Sequence, residues 1–121
     1  MGSYKDMIIY KKAFGLAMDI FEISKRFPKE ETYSLTDQIR RSSRSVCANF
    51  AEAYRRRKYI AHFVSKLTDS DCENSETEVW IDFAFACKYM SAEEHLSLST
   101  KSAEVGKILG SMIQNPEKFI S

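Results

Sequence analysis

Apolar side chains recur along most of the chain every three or four positions, the spacing of an α-helix rather than the alternation of a strand. This pattern predicts four helices, at about residues 4–26, 35–57, 59–89 and 92–113. Pro28 and Pro116 follow the first and the fourth, and a proline is typical of a position just past a helix end. Only four glycines and two prolines occur in 121 residues, which favours long helices over a sheet of many strands.

Two serines predict where the second and fourth helices begin. Ser34 with Asp37, and Ser91 with Glu94, have the spacing of a capping box, in which a serine and an acidic side chain bond each other's backbone N–H groups. No strong helix breaker separates the second helix from the third. The turn between them, near residues 55–59, is therefore the boundary that the sequence defines least well.

Short connections between long helices favour antiparallel neighbours. The sequence therefore predicts an all-α, antiparallel up-down-up-down four-helix bundle. A chain of 121 residues has the size of a single domain, residues 1–121, and can bury a core without disulfides or metals.

The first predicted helix carries two apolar faces. One face consists of Met7, Tyr10, Phe14, Ala17, Met18 and Phe21. The other, on nearly the opposite side, consists of Ile9, Ala13, Leu16, Ile20, Ile23 and Phe27. A helix at the periphery of a bundle needs only one apolar face. We therefore expect the chain to form a homo-oligomer, with Met7, Tyr10, Phe14, Met18 and Phe21 as candidate interface residues. Which of the two faces is core remains open at this point.

The third predicted helix interrupts its apolar stripe with polar residues. Ser70, Asp71, Asn74 and Glu78 occupy positions that face the core at helical spacing. Polar groups there must find hydrogen-bond partners or meet water. They either meet arginines of the second helix or line a wet opening in an assembly.

The formal net charge of only +1 conceals two oppositely charged segments. Cations concentrate on the second predicted helix and the turn after it, at Arg40, Arg41, Arg44, Arg55, Arg56, Arg57 and Lys58. Acidic residues concentrate on the third, at Asp69, Asp71, Glu73, Glu76, Glu78 and Asp82. At 3.6 residues per turn, Arg40, Arg44, Arg55 and Lys58 lie within about 60° of one another and form a basic stripe.

The basic stripe has two interpretations. In the first, it is a solvated face paired with the acids of the third helix, within the chain or between subunits. Exposed ion pairs contribute only about 0–1 kcal/mol each, so a row of them adds little stability. In the second, it binds the phosphate backbone of a nucleic acid, whose contacts with cations dominate affinity and are independent of base sequence. The residues by themselves favour neither.

Catalytic and metal-binding patterns are absent from the sequence. A di-metal bundle needs Glu-x-x-His, but Tyr59 and Ala92 stand three residues before His62 and His95. No G-x-S-x-G elbow and no glycine-rich phosphate loop occur. We expect no catalytic residue, no metal and no cofactor.

Three cysteines, Cys47, Cys72 and Cys87, fit neither a disulfide framework nor a zinc site. Their odd number and helical positions are typical of reduced thiols in a cytoplasmic protein. No signal-peptide core precedes the first helix, and no apolar run approaches the roughly 20 residues that span a bilayer. We therefore expect a cytoplasmic protein that does not enter a membrane.

Several motifs resemble one bacterial family. They are KRFPKEE at Lys25–Glu31, LTDQIRRS at Leu35–Ser42, ANFAEAYRRR at Ala48–Arg57 and SETEVWIDFA at Ser75–Ala84. Together they make the chain similar, over nearly its whole length, to the four-helix bundle proteins encoded by intervening sequences in 23S ribosomal RNA genes.

The resemblance implies an up-down bundle assembled as a cyclic homopentamer. Related accessory proteins of diversity-generating retroelements share this assembly and bind both nucleic acid and a reverse transcriptase. Carried over to this chain, the basic positions are Arg40, Arg41, Arg56 and Arg57. Two positions depart from the family, because Ala53 and Arg55 replace glycines at the end of the second helix.

The leading hypothesis is a non-enzymatic, homo-oligomeric accessory protein that binds RNA or DNA through the basic residues of its second helix. All seven cations named above are candidate phosphate contacts. The alternative is a protein-interaction scaffold whose second-helix arginines pair with third-helix acids between subunits.

Overall fold

A computed structural model describes residues 2–120. Four α-helices form its body: α1 Ile8–Ser24, α2 Leu35–Arg55, α3 Ile60–Ala86 and α4 Ala92–Gln114. Short 3₁₀ turns occur at Tyr4–Asp6, Lys29–Glu31 and Pro116–Phe119. Each helix packs against the next, α1 also packs against α4, and α1 and α3 lie at opposite corners. Within residues 2–120 there is no strand, and the predicted all-α four-helix bundle is confirmed.

The helix boundaries differ from the prediction mainly at two ends. The segment from Tyr4 to Asp6 is a separate 3₁₀ turn capped by Ser3, so the first α-helix begins only at Ile8. The third helix ends at Ala86 because Lys88 adopts a left-handed conformation with φ of 65°. The N–H groups of Lys88 and Tyr89 then bond back to carbonyls of the last turn, which is the hydrogen-bond pattern of a Schellman cap.

One of the two predicted capping boxes is present. The backbone N–H of Glu94 donates to Ser91 Oγ at 3.1 Å, and the N–H of Ser91 donates to Glu94 Oε1 at 2.9 Å. The prediction for Ser34 and Asp37 is wrong. The 3₁₀ turn before α2 brings Glu31 to the helix start instead. Its Oε1 accepts hydrogen bonds from Ser34 Oγ at 2.6 Å and from the backbone N–H of Leu35 at 3.3 Å.

The second apolar face of helix α1 is the core face. Ile9, Ala13, Leu16 and Ile20 are buried, whereas Phe14 and Met18 of the other face are about half exposed. The buried residues form one apolar cluster at each end of the bundle. One includes Ile9, Phe50, Phe63, Leu67 and Met112, and the other includes Ile20, Ile39, Ile81 and Leu98.

A buried polar layer lies between the two apolar clusters. Asn74 Nδ2 donates to the backbone carbonyl of Ser102 at 2.9 Å, and Ser102 Oγ donates back to Asn74 Oδ1 at 3.2 Å. The hydroxyl of Ser70 donates to the carbonyl of Val46 at 2.8 Å. The polar interruptions Ser70 and Asn74 of the third helix are thus satisfied inside the bundle, by backbone and hydroxyl groups rather than by arginines or water.

Candidate nucleic-acid interface

The turn from α2 to α3 gathers four consecutive cations, which we name the turn cluster: Arg55, Arg56, Arg57 and Lys58. Helix α2 ends there because Arg56 leaves the helical conformation. The negative end of the helix dipole favours cations at this place. Arg55, Arg56 and Lys58 are exposed, and Arg57 is half-buried.

Tyr54 fixes one member of the turn cluster. The guanidinium of Arg57 lies 3.6 Å from the centroid of the Tyr54 ring, and its Nε donates to the carbonyl of Tyr54 at 2.8 Å. This contact leaves both terminal nitrogens of Arg57 without a hydrogen bond among residues 2–120. Tyr54 was absent from the sequence-based candidates. Its position three residues before Arg57, on one face of the helix that the sequence predicted over residues 35–57, is the signal that could have identified it.

No carboxylate of the described chain lies within 4.0 Å of a side-chain nitrogen of the turn cluster. The nearest acid in sequence, Glu52, instead accepts from Lys66 Nζ at 2.8 Å. That hydrogen bond and the charge of Lys66 lower the pKa of Glu52, with a smaller effect of Arg56. The turn cluster therefore carries nearly uncompensated positive charge.

Arg40 and Arg44 lie at the other end of the exposed α2 face, beside the aromatic ring of Phe21. Their guanidinium carbons are 4.9 and 5.8 Å from the ring centroid, and Lys25 Nζ lies 4.8 Å from it. Arg40 Nε also donates to Ser24 Oγ at 2.8 Å. Lys25 was not among the candidates, although its position four residues after Phe21 places the two side chains together on a helix.

Arg41 is separated from the other cations by an ion-pair network with helix α3. Its Nη2 lies 2.9 and 3.0 Å from the two carboxylate oxygens of Glu76, and its Nη1 lies 3.5 Å from Glu73 Oε1. Burial and a hydrogen bond with Glu76 raise the pKa of Glu73. Burial also opposes ionisation of Glu76, but hydrogen bonds from Arg41 and Glu73 outweigh it and lower the pKa of Glu76. Arg41 thus compensates acids of its own chain.

The candidate oligomer-interface residues of α1 adjoin the basic stripe of α2. Phe14 and Met18 line a shallow apolar groove together with Arg44, Ala48 and the half-buried Tyr10. Phe21 and Met7 are half-buried and do not line this groove. The structure therefore places two predicted sites, the interface and the Arg40–Arg44 end of the stripe, on one continuous surface.

His95 lies near a serine and an aspartate, the residue types of a hydrolase triad. Asp82 Oδ1 is 2.9 Å and Ser99 Oγ is 3.5 Å from the same ring nitrogen, Nε2. A triad needs the acid on one ring nitrogen and the nucleophile on the other. This trio cannot relay a proton in that way, and the imidazole ring instead stacks on Phe85 with centroids 4.3 Å apart.

The described residues contain neither a cluster of metal ligands nor a helix that could span a membrane. Between residues 2 and 120, no three His, Cys, Asp or Glu side chains converge as metal ligands. No helix in that range combines the length and the apolar character that a membrane span requires. The cations described above are therefore the most distinctive chemical feature of the surface.

Comparison with known proteins gives one family and one fold. The family of 23S rRNA-intervening sequence proteins matches residues 5–111. The crystal structure of a protein of unknown function from the S23 ribosomal protein family of Bacteroides thetaiotaomicron is 29% identical, with a TM-score of 0.81. The similarity covers 89% of this chain and 100% of that one. No curated protein matches the chain.

Proposed function

This chain belongs to the 23S rRNA-intervening sequence protein family, and we propose that it is a non-enzymatic, homo-oligomeric accessory protein that binds the phosphate backbone of RNA or DNA. The observation that carries the proposal is the turn cluster, Arg55–Lys58, whose four cations have no carboxylate within ion-pair distance among residues 2–120. Four like charges held side by side repel one another. A polyanion that neutralises them is the ligand that this arrangement favours.

The turn cluster also has a suitable geometry for phosphate. Arg57 is held by the ring and the carbonyl of Tyr54, so its terminal nitrogens are presented to solvent in a fixed direction. A guanidinium can bind two phosphate oxygens at once, and less side-chain entropy is lost when it is already positioned. Arg55, Arg56 and Lys58 surround it as exposed, adjustable contacts.

Self-association would multiply this surface. Phe14 and Met18 expose apolar area on α1 that a monomer leaves in water, which supports a homo-oligomer. In a cyclic assembly such as the homopentamer that the family resemblance implies, each copy contributes one turn cluster. Several weak phosphate sites on one rigid particle bind a continuous backbone more tightly than any single site does.

The seven candidate cations divide into three groups under this proposal. Arg41 is compensated by Glu73 and Glu76 and contributes little to phosphate binding. The turn cluster makes the phosphate contacts. Arg40 and Arg44 border exposed apolar side chains, an arrangement that favours the second candidate function, an assembly in which these arginines meet acids of another subunit.

Nucleic-acid binding can be measured by fluorescence anisotropy with labelled single- and double-stranded RNA and DNA of random sequence. With about four phosphates neutralised, affinity should fall by roughly 50- to 150-fold between about 50 and about 200 mM salt. A variant with Arg55→Gln, Arg56→Gln and Lys58→Gln should lose at least about tenfold in affinity at about 50 mM salt.

A control of equal charge separates a local site from a general effect of net charge. Lys11→Gln, Lys29→Gln and Lys107→Gln also remove three exposed cations that have no carboxylate partner in the described chain. This control should stay within about twofold of the wild type. No binding at low salt, or equal losses in the two triple variants, would overturn the proposed function.

A further inference from the structure

Helix α1 and helix α2 together form a surface that we name the basic apolar face: Phe14, Met18, Phe21, Arg40 and Arg44. Phe14 is 50% exposed and Met18 45% exposed. Arg40 and Arg44 approach the Phe21 ring within 4.9 and 5.8 Å, and neither has a carboxylate within ion-pair distance in residues 2–120. The surface therefore combines unsatisfied positive charge with apolar area that water covers in the monomer.

Helix α3 carries a second surface of the opposite charge, the acidic apolar face: Glu78, Val79, Asp82 and Phe83. Val79 is 47% exposed and Phe83 54% exposed. At about 100° per residue, Glu78 and Asp82 lie on one side of the line from Val79 to Phe83. Neither acid pairs with a lysine or arginine of the described chain, and the contact of Asp82 is with His95.

The two faces cannot meet within one chain. Helices α1 and α3 occupy opposite corners of the bundle, and their Cα atoms do not come within 8 Å of each other in the described structure. Each face is thus left without a partner, while the other has the complementary charge and a similar apolar centre.

We propose that the basic apolar face of one copy docks on the acidic apolar face of the next copy, in a head-to-tail contact. Phe14 and Met18 would pack against Val79 and Phe83, while Arg40 and Arg44 lie near Glu78 and Asp82 of the neighbouring copy. The proposal deepens the homo-oligomeric part of the proposed function and rests on it. It assigns Arg40 and Arg44 to assembly and leaves phosphate binding to the turn cluster.

Charge decides against a symmetric contact of either face with itself. A basic face on a basic face would bring Arg40 and Arg44 against the same two arginines, and like charges in an interface disfavour association. The acidic face meets the same difficulty with Glu78 and Asp82. A head-to-tail contact avoids both, and it repeats from copy to copy until a ring closes.

Two variants, each with one face disabled, test the pairing. The first carries Met18→Glu and Arg44→Glu on the basic apolar face, and the second carries Glu78→Lys and Phe83→Lys on the acidic apolar face. All four side chains are exposed, so the bundle core is unchanged, and circular dichroism checks the fold. A control with Leu96→Glu and Lys107→Glu makes the same kinds of change at exposed positions of α4, a helix that contributes no residue to either face.

Light scattering coupled to size exclusion gives the mass of each sample. The control should keep the mass of the wild-type oligomer, and each face variant by itself should be monomeric. A 1:1 mixture of the two face variants should contain a complex of two chains, because each supplies the intact face that the other lacks. Either face variant keeping the wild-type mass, or a mixture that stays monomeric, would overturn head-to-tail pairing.

A charge swap gives a second readout that does not rely on loss of assembly. One chain that carries Arg40→Glu, Arg44→Glu, Glu78→Lys and Asp82→Lys retains complementary faces and should regain the wild-type mass. The corresponding chains with only the two glutamates or only the two lysines should dissociate. If the quadruple variant were no more associated than the two double variants, the proposed charge pairing would be wrong.

The same samples separate this inference from the proposed function. Anisotropy with labelled RNA on the monomeric face variants should still show salt-sensitive binding, weaker than in the oligomer because only one turn cluster is present. If RNA binding is retained but the two faces do not pair as proposed, only the face assignment is overturned. A monomeric wild type would overturn the proposed assembly. If RNA binding were then lost only on substitution of the turn cluster, phosphate recognition by that cluster would still be supported.

Discussion

Arg41 and Glu76 form an ion pair between helices α2 and α3, in which Nη2 of Arg41 lies 2.9 and 3.0 Å from the two carboxylate oxygens of Glu76. The same guanidinium lies 3.5 Å from Glu73. One arginine therefore pairs with two acids of α3, the helix on which acidic residues concentrate. This pairing removes Arg41 from the set of free cations. Its neighbours, the half-buried Arg40 and the exposed Arg44, have no carboxylate within ion-pair distance in residues 2–120.

The Arg41–Glu76 pair should make stability depend on pH in a defined direction. The pKa of Glu76 is lowered in the folded chain from its usual value of 4.5, so its contribution to stability is present above that pH and is lost as pH falls through the folded pKa. Arg41→Met should lower the free energy of unfolding at about pH 7 by roughly 0.5–1 kcal/mol, since both side chains are substantially exposed and solvent screens the pair.

Urea denaturation of the wild type and Arg41→Met at about pH 7 and about pH 3 measures this effect. The difference between the two proteins should shrink at the lower pH, because the contribution of Glu76 is lost as pH falls through its lowered pKa. Lys107→Met, which removes an exposed cation without an ion pair in the described chain, serves as the control. A difference that is the same at both pH values would contradict the predicted role.

Asn74 should be the polar core residue most sensitive to truncation. Asn74→Ala removes two hydrogen bonds to Ser102 and leaves the buried Ser102 hydroxyl without its Asn74 partner, and an unsatisfied buried group costs about 1–3 kcal/mol. We expect a loss of that size in urea denaturation. Ser75→Ala, at the next, exposed position, should change stability by less than about 0.5 kcal/mol. Equal losses for the two substitutions would show that the polar layer contributes no stability.

Lys88 offers a stabilising substitution. Its left-handed conformation, with φ of 65°, costs a residue with a side chain about 1–2 kcal/mol, whereas glycine adopts it freely. Glycine also adds about 0.5–1 kcal/mol of backbone entropy to the unfolded chain, so Lys88→Gly should stabilise by about 0.5–1 kcal/mol. Thermal and urea unfolding would measure it. Lys88→Ala keeps the strain and should bring no gain, and a gain of equal size there would exclude relief of strain as the cause.

The three thiols should differ in reactivity. Burial raises the pKa of Cys47 to about 11, whereas Cys72 and Cys87 are exposed. At about pH 8 only about one Cys47 in a thousand is a thiolate, and the side chain is covered. A colourimetric thiol reagent should therefore label the same number of fast-reacting cysteines in the wild type and in Cys47→Ala. Loss of a fast-reacting thiol in Cys47→Ala would contradict this assignment.

The sequence predicted the helices better than their ends. Periodicity located all four, and the serine–glutamate pair at Ser91 and Glu94 predicted the start of α4 correctly. At the start of α2 the same spacing was misleading, because the preceding 3₁₀ turn places Glu31 where Asp37 was expected to act. Which side chain caps a helix depends on the course of the segment that precedes the helix. Residue spacing alone does not show that course.

The candidate site was predictable in composition but not in grouping. Both the cations of α2 and the exposed apolar face of α1, which includes Phe14, Met18 and Phe21, could be identified from the sequence. Their adjacency at Phe21, Arg40 and Arg44 could not, because it depends on how far each helix is rotated about its own axis. The partners of Ser70 and Asn74 were hidden for the same reason.

By itself, the sequence determined that this chain is an all-α bundle with more apolar surface than one core needs, and with separate basic and acidic helices. Those properties follow from periodicity and charge, which act over a few neighbouring residues. Only the tertiary structure decided which charges meet. Arg41 forms an ion pair with Glu76, which lies 35 residues later in the chain. Arg40 contacts Phe21 and Ser24, and the turn cluster has no acid within ion-pair distance in the described chain. Such pairings depend on the register and rotation of packed helices, which are set by burial of the core as a whole.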